Sequence, residues 1–185
     1  MFKQKKYTII KQAISKDLAG FVANYFSMQK QVYDTCRNAR YISPYENIIG
    51  HYEDKNEQIP NTYSQYANMA METLMLKCQP KMEEATGLKL YPAYTYARIY
   101  KKGDELKRHK DRFSCEISTT MNLGGDDWPI YLEPSGEGDK KGIKVDLKPG
   151  DMLVYSGCEL EHWREKFKGK DCAQVFLHYN NRKTP

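Results

Sequence analysis

The spacing of apolar residues changes from a helical to a strand period about halfway along the 185-residue chain. In the first half, a repeat near 3.6 residues predicts an amphipathic helix over about 15–37, with Ser15 as its N-cap. A second helix is predicted over about 62–86, where Pro80 should kink or break it and Gly87 should end it. The first half is therefore expected to be mainly helical.

The second half is predicted to form short strands separated by glycine-containing turns. Residues 94–100 alternate with a period of two, which is typical of a strand. The further strand candidates are 115–123, 128–133, 143–147, 151–155, 158–163 and 172–180. This pattern predicts a barrel or sandwich, and a double-stranded jelly roll fits best because it closes around a small pocket. Since no Pro/Gly/Ser-rich linker separates the halves, we expect one α+β domain. Its double-stranded β-helix core would span 91–182, with 1–90 as helical support.

Charge and cysteine content narrow the class of protein. The formal net charge is +5, and the charges are interspersed apart from a basic cluster between Lys101 and Arg112. Because nucleic-acid binders usually concentrate their basic residues, this distribution argues against a nucleic-acid partner. The five cysteines include no CxxC pair, so we expect reduced thiols in a cytoplasmic protein. The sequence contains no apolar stretch of about 18 residues, so no membrane span is predicted.

The segment His109-Lys110-Asp111 and the later His162 have the composition of a metal site. Residues i and i+2 of an extended strand point to the same side, so this spacing places an imidazole beside a carboxylate. A histidine from a distant strand would complete a set that holds iron(II) and leaves three coordination positions open. A structural zinc site would instead close its coordination, usually with cysteine and histidine. We therefore predict that His109, Asp111 and His162 bind a catalytic iron(II).

Three segments extend this pattern over roughly residues 91–180. They are YARIYKKGDELKRHKD, GDMLVYSGCELEHWRE and GKDCAQVFLHY. Together they resemble the iron(II)- and 2-oxoglutarate-dependent dioxygenases, most of all the prolyl 4-hydroxylase group. The resemblance implies a double-stranded β-helix core that uses iron(II), 2-oxoglutarate and O₂, and it leaves ascorbate open as a further cofactor. It also implies hydroxylation of a C–H bond with release of succinate and CO₂, and a peptide or protein substrate.

The distal carboxylate of 2-oxoglutarate needs a cation, because a buried unpaired carboxylate is costly. The resemblance implies a Lys or Arg about ten residues after the distal histidine, but position 172, ten beyond His162, holds a cysteine. Lys170 would have the same facing as Cys172 if the strand extends that far, and it is our first candidate anchor. Arg98 shares a strand face with Tyr100 and is the second candidate.

Several other side chains are expected around the co-substrate. Tyr100 matches the tyrosine that lines this pocket in the family that the chain resembles. Further candidates for co-substrate binding are Thr120, Asn122 and Gln174, with Arg112 and Arg164 as alternative cations. His178 shares a face with Gln174, and we expect a structural histidine there in preference to a pocket wall.

Three functions remain open from the sequence. The first is hydroxylation of a peptide or protein, with the loops near 41–61 and 134–142 as a substrate rim. The second keeps the chemistry but acts on a free amino acid, small metabolite or nucleobase, and the basic cluster would then favour an anionic partner. The third is a jelly-roll protein that binds a metal without catalysis, and the cysteine at position 172 favours it.

Overall fold

Two antiparallel β-sheets and three helices make up the computed structural model, which describes residues 2–55, 58–135, 137–138 and 140–181. The helices are α1 (Phe2–Lys5), α2 (Lys16–Asn38) and α3 (Met69–Thr86). The strands are β1 (Tyr7–Ile10), β2 (His51–Tyr52), β3 (Tyr63–Tyr66), β4 (Tyr91–Lys101), β5 (Leu106–His109), β6 (Ile117–Gly125), β7 (Ile130–Glu133), β8 (Ile143–Val145), β9 (Met152–Ser156), β10 (Glu161–Arg164) and β11 (Asp171–Asn180). A 3-10 turn at Phe113–Cys115 follows β5.

The strand order identifies the architecture as a double-stranded β-helix. The major sheet has seven strands in the order β1-β9-β6-β11-β4-β3-β2, and the minor sheet has four in the order β5-β10-β7-β8. Neighbouring strands in both sheets are antiparallel. The predicted α+β jelly roll is therefore confirmed.

The two long helices cover the major sheet, as their apolar faces require. Helix α2 starts where predicted, because the hydroxyl of Ser15 accepts a hydrogen bond from the backbone N–H of Leu18 at 3.2 Å. Its side chains Val22 and Phe26 share a buried cluster with residues of the major sheet. Helix α3 ends at Gly87 as predicted, because this residue adopts the left-handed conformation at φ 67°.

The second helix begins later than the sequence predicted, and Pro80 does not interrupt it. Tyr63–Tyr66, expected as its first turn, is strand β3 instead, since it pairs with β4. Asn68 then caps α3 by accepting from the N–H of Ala70 at 3.0 Å. The helix continues through Pro80, whose exposure leaves the unpaired carbonyl four residues earlier within reach of water.

The first half of the chain supplies strands of the major sheet as well as the supporting helices. It supplies three strands of the major sheet: β1 pairs with β9, β3 pairs with β4, and β2 extends β3 within the predicted loop 41–61. These pairings join residues far apart in sequence, so the local pattern of apolar residues could not reveal them.

The strands of the second half lie close to their predicted positions, with one addition. The unpredicted strand is β5, which leads to the first candidate metal ligand. None of the helices in the described residues is long and apolar enough to cross a membrane. A cavity of about 480 Å³ opens between the two sheets, and it contains the residues that the sequence predicted to bind a metal.

Candidate metal and co-substrate site

The structure brings His109, Asp111 and His162 together at one point of the cavity. His109 ends β5, Asp111 lies two residues beyond it, and His162 lies on β10 directly opposite His109 in the antiparallel register. One ligand atom from each residue lies within 4.8 Å of the other two. The Oδ1 atom of Asp111 is 3.7 Å from Nε2 of His109 and 3.5 Å from Nε2 of His162.

Backbone carbonyls fix the orientation of both imidazoles. The Nδ1 atom of His109 donates to the carbonyl oxygen of Lys107 at 2.7 Å, and that of His162 donates to the carbonyl oxygen of Leu160 at 3.1 Å. Because each Nδ1 carries the proton, each Nε2 has its lone pair on the side of the cavity, where Nε2 of His109 accepts a hydrogen bond from the amide of Gln58. This is the tautomer that metal-binding histidines adopt when a carbonyl holds the opposite nitrogen. The donor set fits iron(II), with two imidazoles and one carboxylate.

The carboxylate of Asp111 is held by the chain on its other side. The backbone N–H of Asp111 donates to the carbonyl oxygen of Gly157 at 2.9 Å, and Oδ2 of its carboxylate accepts from the hydroxyl of Ser118 at 2.7 Å. Burial alone would raise the pKa of Asp111, but the neighbouring side chains of His109 and His162 and the hydroxyl of Ser118 bring it well below its usual range. The carboxylate is therefore ionised and ready to bind a cation.

The buried histidine His178 forms a hydrogen bond with Ser118. His178 lies with Nδ1 3.1 Å from the hydroxyl oxygen of Ser118. Since the Ser118 hydroxyl donates its proton to Asp111, Nδ1 of His178 must be the donor in this second bond. Burial lowers the pKa of His178 to about 4, so its imidazole is neutral at pH 7. His178 thus supports the metal site through Ser118, but it also lines the cavity, so the expectation that it would not be a pocket wall was wrong.

Gly157 is a site residue whose role the sequence did not reveal. A Cβ atom at this position would lie 2.4 Å from Oδ2 of Asp111 and 2.7 Å from Oγ of Ser118. Such distances are far inside van der Waals contact, so only glycine lets the carboxylate and the hydroxyl meet here. Gly157 and Ser118 became recognisable only once the fold had brought both next to Asp111.

Arg98 lines the cavity, but its charge already has a partner. Its guanidinium forms a buried ion pair with Glu53 and also donates from Nη1 to the side-chain oxygen of Gln58 at 3.0 Å. The amide nitrogen of Gln58 in turn lies 3.0 Å from Nε2 of His109. The chain itself thus supplies a carboxylate partner for Arg98, the second candidate anchor.

Arg164 is the buried cation without a carboxylate. Its side chain is almost fully buried, and no Asp or Glu among the described residues pairs with it. Its guanidinium donates to the carbonyl oxygen of Trp128, to Oγ1 of Thr120 at 3.1 Å and to Oε1 of Gln174 at 3.3 Å. Its Nε atom has no partner among the described residues. Burial lowers the pKa of Arg164, as expected for a charge removed from water.

The guanidinium of Arg164 contacts strand β11 close to Cys172, the position at which the resemblance implied a Lys or Arg. Gln174, which accepts from Arg164, donates to the sulfur of Cys172 at 3.1 Å. Arg164 does not itself line the cavity, but it interacts electrostatically with Tyr100 and Tyr155, which do. The hydroxyl of Tyr100 is buried and has no hydrogen-bond partner among the described residues.

The remaining candidates occupy different surroundings. Lys170 is exposed, its backbone N–H donates to Asp126 at 2.6 Å, and it lies outside the cavity, so the structure does not bring it to the site. Asn122 donates to the carbonyl oxygen of Leu147 at 2.7 Å and also lies outside the cavity lining. Thr120 and Gln174 act through Arg164, whereas Arg112 lines the cavity at its exposed end.

Solved structures with the same fold are numerous, although their sequences are distant. A prolyl-4-hydroxylase from Pseudomonas putida is 17% identical, with a TM-score of 0.58 over 98% of this chain and 95% of that one. The non-haem α-ketoglutarate-dependent epimerase SnoN from nogalamycin biosynthesis is 10% identical, with a TM-score of 0.71 over 97% of this chain and 79% of that one. HygX from Streptomyces hygroscopicus, solved with nickel, 2-oxoglutarate and hygromycin B bound, is 12% identical, with a TM-score of 0.66 over 98% and 85% of the two chains.

No model of a known family matches the sequence, and neither does any curated protein. At these identities the structural similarity establishes the fold. The chain therefore has the double-stranded β-helix fold found in iron(II)- and 2-oxoglutarate-dependent oxygenases, including a prolyl-4-hydroxylase and enzymes that differ in substrate.

Proposed function

We propose that this protein is an iron(II)- and 2-oxoglutarate-dependent oxygenase that hydroxylates a C–H bond. The observation that carries the proposal is the convergence of His109, Asp111 and His162 inside the cavity of this fold, with both imidazoles turned to present Nε2. The reaction consumes O₂ and 2-oxoglutarate. One oxygen atom enters the substrate as a hydroxyl group, the other enters succinate, and CO₂ is released.

The residues at the proposed iron site have distinct roles. Bound iron(II) would supply the redox chemistry that activates O₂. The imidazoles of His109 and His162 and the carboxylate of Asp111 would hold the ion and leave coordination positions for co-substrate and O₂. The hydroxyl of Ser118 holds the carboxylate in one rotation, so that Oδ1 faces the histidines while Oδ2 is occupied, and the carbonyl oxygen of Gly157 holds the backbone N–H of Asp111. Ascorbate, which keeps such iron reduced, is proposed as an auxiliary reductant.

We assign the distal carboxylate of 2-oxoglutarate to Arg164 and Tyr100. Arg164 is a buried cation that no carboxylate of the described residues balances, and Tyr100 offers a buried hydroxyl without a partner. A bound carboxylate would satisfy both groups, and buried charges are normally paired in this way. Thr120 and Gln174 position the guanidinium from the neighbouring strands. Arg98 is a weaker candidate because Glu53 already neutralises it.

The buried end of the cavity suits a reaction that must exclude water. Tyr100, Leu106, Ile130 and Tyr155 line it, and each is at most 5% exposed. In such a low-dielectric environment, the attraction between Arg164 and a carboxylate is stronger than it would be in water.

A peptide or protein substrate is the first candidate, with proline as one target residue. The fold shared with the Pseudomonas putida prolyl-4-hydroxylase over nearly the whole of both chains supports it. A small metabolite is the second candidate. A cavity of about 480 Å³ falls within the range of small-molecule sites, and its exposed end carries Lys110 and Arg112.

Oxygen-isotope labelling of succinate tests the proposed reaction. Purified protein with iron(II), ascorbate and 2-oxoglutarate under ¹⁸O₂ should form succinate that contains one ¹⁸O atom, even slowly without a substrate. Proline-rich peptides and free amino acids are then compared for their ability to accelerate this formation. The proposal fails if the protein neither forms succinate nor binds 2-oxoglutarate in the presence of a divalent metal.

A further inference from the structure

The charged groups that line the cavity fall into a buried set and an exposed set. The buried set contains the ion pair of Arg98 with Glu53 and the candidate ligand Asp111. The exposed set contains Lys110 and Arg112, which directly flank Asp111 in the sequence. Neither Lys110 nor Arg112 has a carboxylate partner among the described residues. By contrast, the two acidic residues of the lining have partners: Glu53 pairs with Arg98, and Asp111 lies beside the two histidines.

Binding of the cofactors leaves this exposed pair without a balancing charge. The positive charges of iron(II) and Arg164 together equal the negative charges of Asp111 and the two carboxylates of 2-oxoglutarate. The inner part of the loaded site is therefore neutral. The two positive charges of Lys110 and Arg112 remain at the entrance, where a ligand of opposite charge would be attracted.

Aromatic rings form the wall on the same side of the cavity. Tyr66 packs against Tyr96 with ring centroids 4.2 Å apart and against Tyr94 at 6.0 Å, and it stacks on His51 at 6.2 Å. Tyr66 is 49% exposed, so its ring is available to a ligand. Arg112 lines the cavity together with Tyr94 and Tyr66, and its guanidinium interacts electrostatically with both. A planar cation beside two phenol groups suits a carboxylate or phosphate, which accepts two parallel hydrogen bonds from arginine.

We propose that the second of the two substrate candidates, a small metabolite, is the one that this site takes, and that it is an organic acid bound by Arg112 through a carboxylate or phosphate group. This inference rests on the proposed function, and it names Arg112 as the residue that determines substrate charge. Lys110 adds to the attraction, and Tyr66 and Tyr94 contact the remainder of the molecule. The C–H bond to be oxidised would then lie between the bound anion and the metal.

Matched acids and amides test this proposal by direct binding. Protein loaded with nickel(II) and 2-oxoglutarate, which holds the site without turnover, is titrated calorimetrically with 4-hydroxyphenylacetate, N-acetyl-L-proline and phenyl phosphate. The uncharged comparisons are the two amides and phenol. We expect at least one acid to bind about tenfold more tightly than its uncharged counterpart, as for a charge-assisted hydrogen bond. We expect Arg112→Gln to remove this preference while 2-oxoglutarate still binds.

A control variant separates this effect from a general loss of positive charge. Arg108 lies three residues before Asp111 in the sequence but pairs with Glu161 and lies over the ring of Trp163, outside the cavity lining. Arg108→Gln should therefore leave the preference for acids unchanged. The proposal is wrong if no acid binds better than its uncharged counterpart, if the preference survives in Arg112→Gln, or if a neutral prolyl peptide binds more tightly than every acid. Formation of ¹⁸O-labelled succinate tests the oxygenase function independently of all three outcomes.

Discussion

The proposed metal centre and the proposed co-substrate pocket differ in how fully the chain itself satisfies their polar groups. At the metal centre, the carboxylate of Asp111 accepts from the hydroxyl of Ser118 and faces two oriented histidines, and the backbone N–H of Asp111 donates to the carbonyl oxygen of Gly157. At the pocket, Tyr100 has a buried hydroxyl without a hydrogen bond among the described residues, and behind the lining Arg164 is buried without a carboxylate partner among them. The first site is preorganised by the chain, whereas the second has polar groups that a ligand must satisfy.

This difference predicts that the two sites respond differently to substitution. Loss of a group at the metal centre should weaken metal binding with or without co-substrate. Loss of Arg164 should affect the protein mainly when 2-oxoglutarate is present.

The largest effect is expected for Asp111→Ala. Removal of the only carboxylate of the proposed ligand set should abolish measurable binding of manganese(II) or iron(II), because two imidazoles alone hold these ions weakly. Isothermal titration calorimetry measures the loss. Asp146→Ala is the matched control, since Asp146 pairs with Lys144 and both are largely exposed. Normal metal binding by Asp111→Ala would show that the ligand set is wrong.

The next largest effect is expected for Arg164→Met on the co-substrate. The Michaelis constant for 2-oxoglutarate should rise by about 10- to 100-fold, since one charge-assisted interaction is lost. In wild-type protein, saturating 2-oxoglutarate with metal should raise the melting temperature, and in Arg164→Met this increase should largely disappear. The melting temperature without ligand should change little or rise, because the substitution removes an unbalanced buried charge.

Lys170→Met is the matched control for that comparison. Lys170 is exposed and lies outside the cavity, so its substitution should leave the Michaelis constant for 2-oxoglutarate unchanged. If Lys170→Met raises this constant and Arg164→Met does not, the assignment of the anchor must be reversed.

A smaller effect is expected for Gly157→Ala at the metal centre. The added Cβ would displace the Asp111 carboxylate from its position beside Ser118, and disturbed support of a metal ligand typically costs about 10- to 100-fold in affinity. Metal titration should show this loss whether or not 2-oxoglutarate is present. Gly20→Ala is the control, because Gly20 lies in α2 and no heavy atom lies within 4 Å of its added Cβ. Unchanged metal affinity in Gly157→Ala would mean that the carboxylate is not fixed as described.

The smallest effect is expected for Ser118→Ala, which removes a single hydrogen bond to Asp111 without adding bulk. Metal affinity should fall by about 3- to 10-fold, within the usual range for one hydrogen bond. Ser118→Thr, which retains the hydroxyl, should recover part of it. A loss as large as that of Asp111→Ala would indicate a wider rearrangement of the site.

The sequence predicted those parts of the molecule whose conformation is determined by local interactions. The caps at Ser15 and Gly87 follow from one helical turn, and the spacing of His109 and Asp111 follows from the geometry of an extended chain. Strand β3 was not predicted, because its partner β4 lies about 30 residues away and decides its conformation. The sequence named Arg164 only as an alternative cation behind Lys170 and Arg98, because its guanidinium crosses from β10 to β11 and a spacing rule along one strand cannot show such a contact.

The most direct test of the account is an anaerobic titration of the iron(II)-loaded protein with 2-oxoglutarate, followed by visible absorption. Chelation of iron(II) by the keto acid produces a charge-transfer band. The band should appear in wild-type protein, require about 10- to 100-fold more 2-oxoglutarate in Arg164→Met, and be absent in Asp111→Ala. Absence of the band in wild-type protein that has bound iron(II) would contradict the proposal that this cavity joins a metal site to a 2-oxoglutarate site.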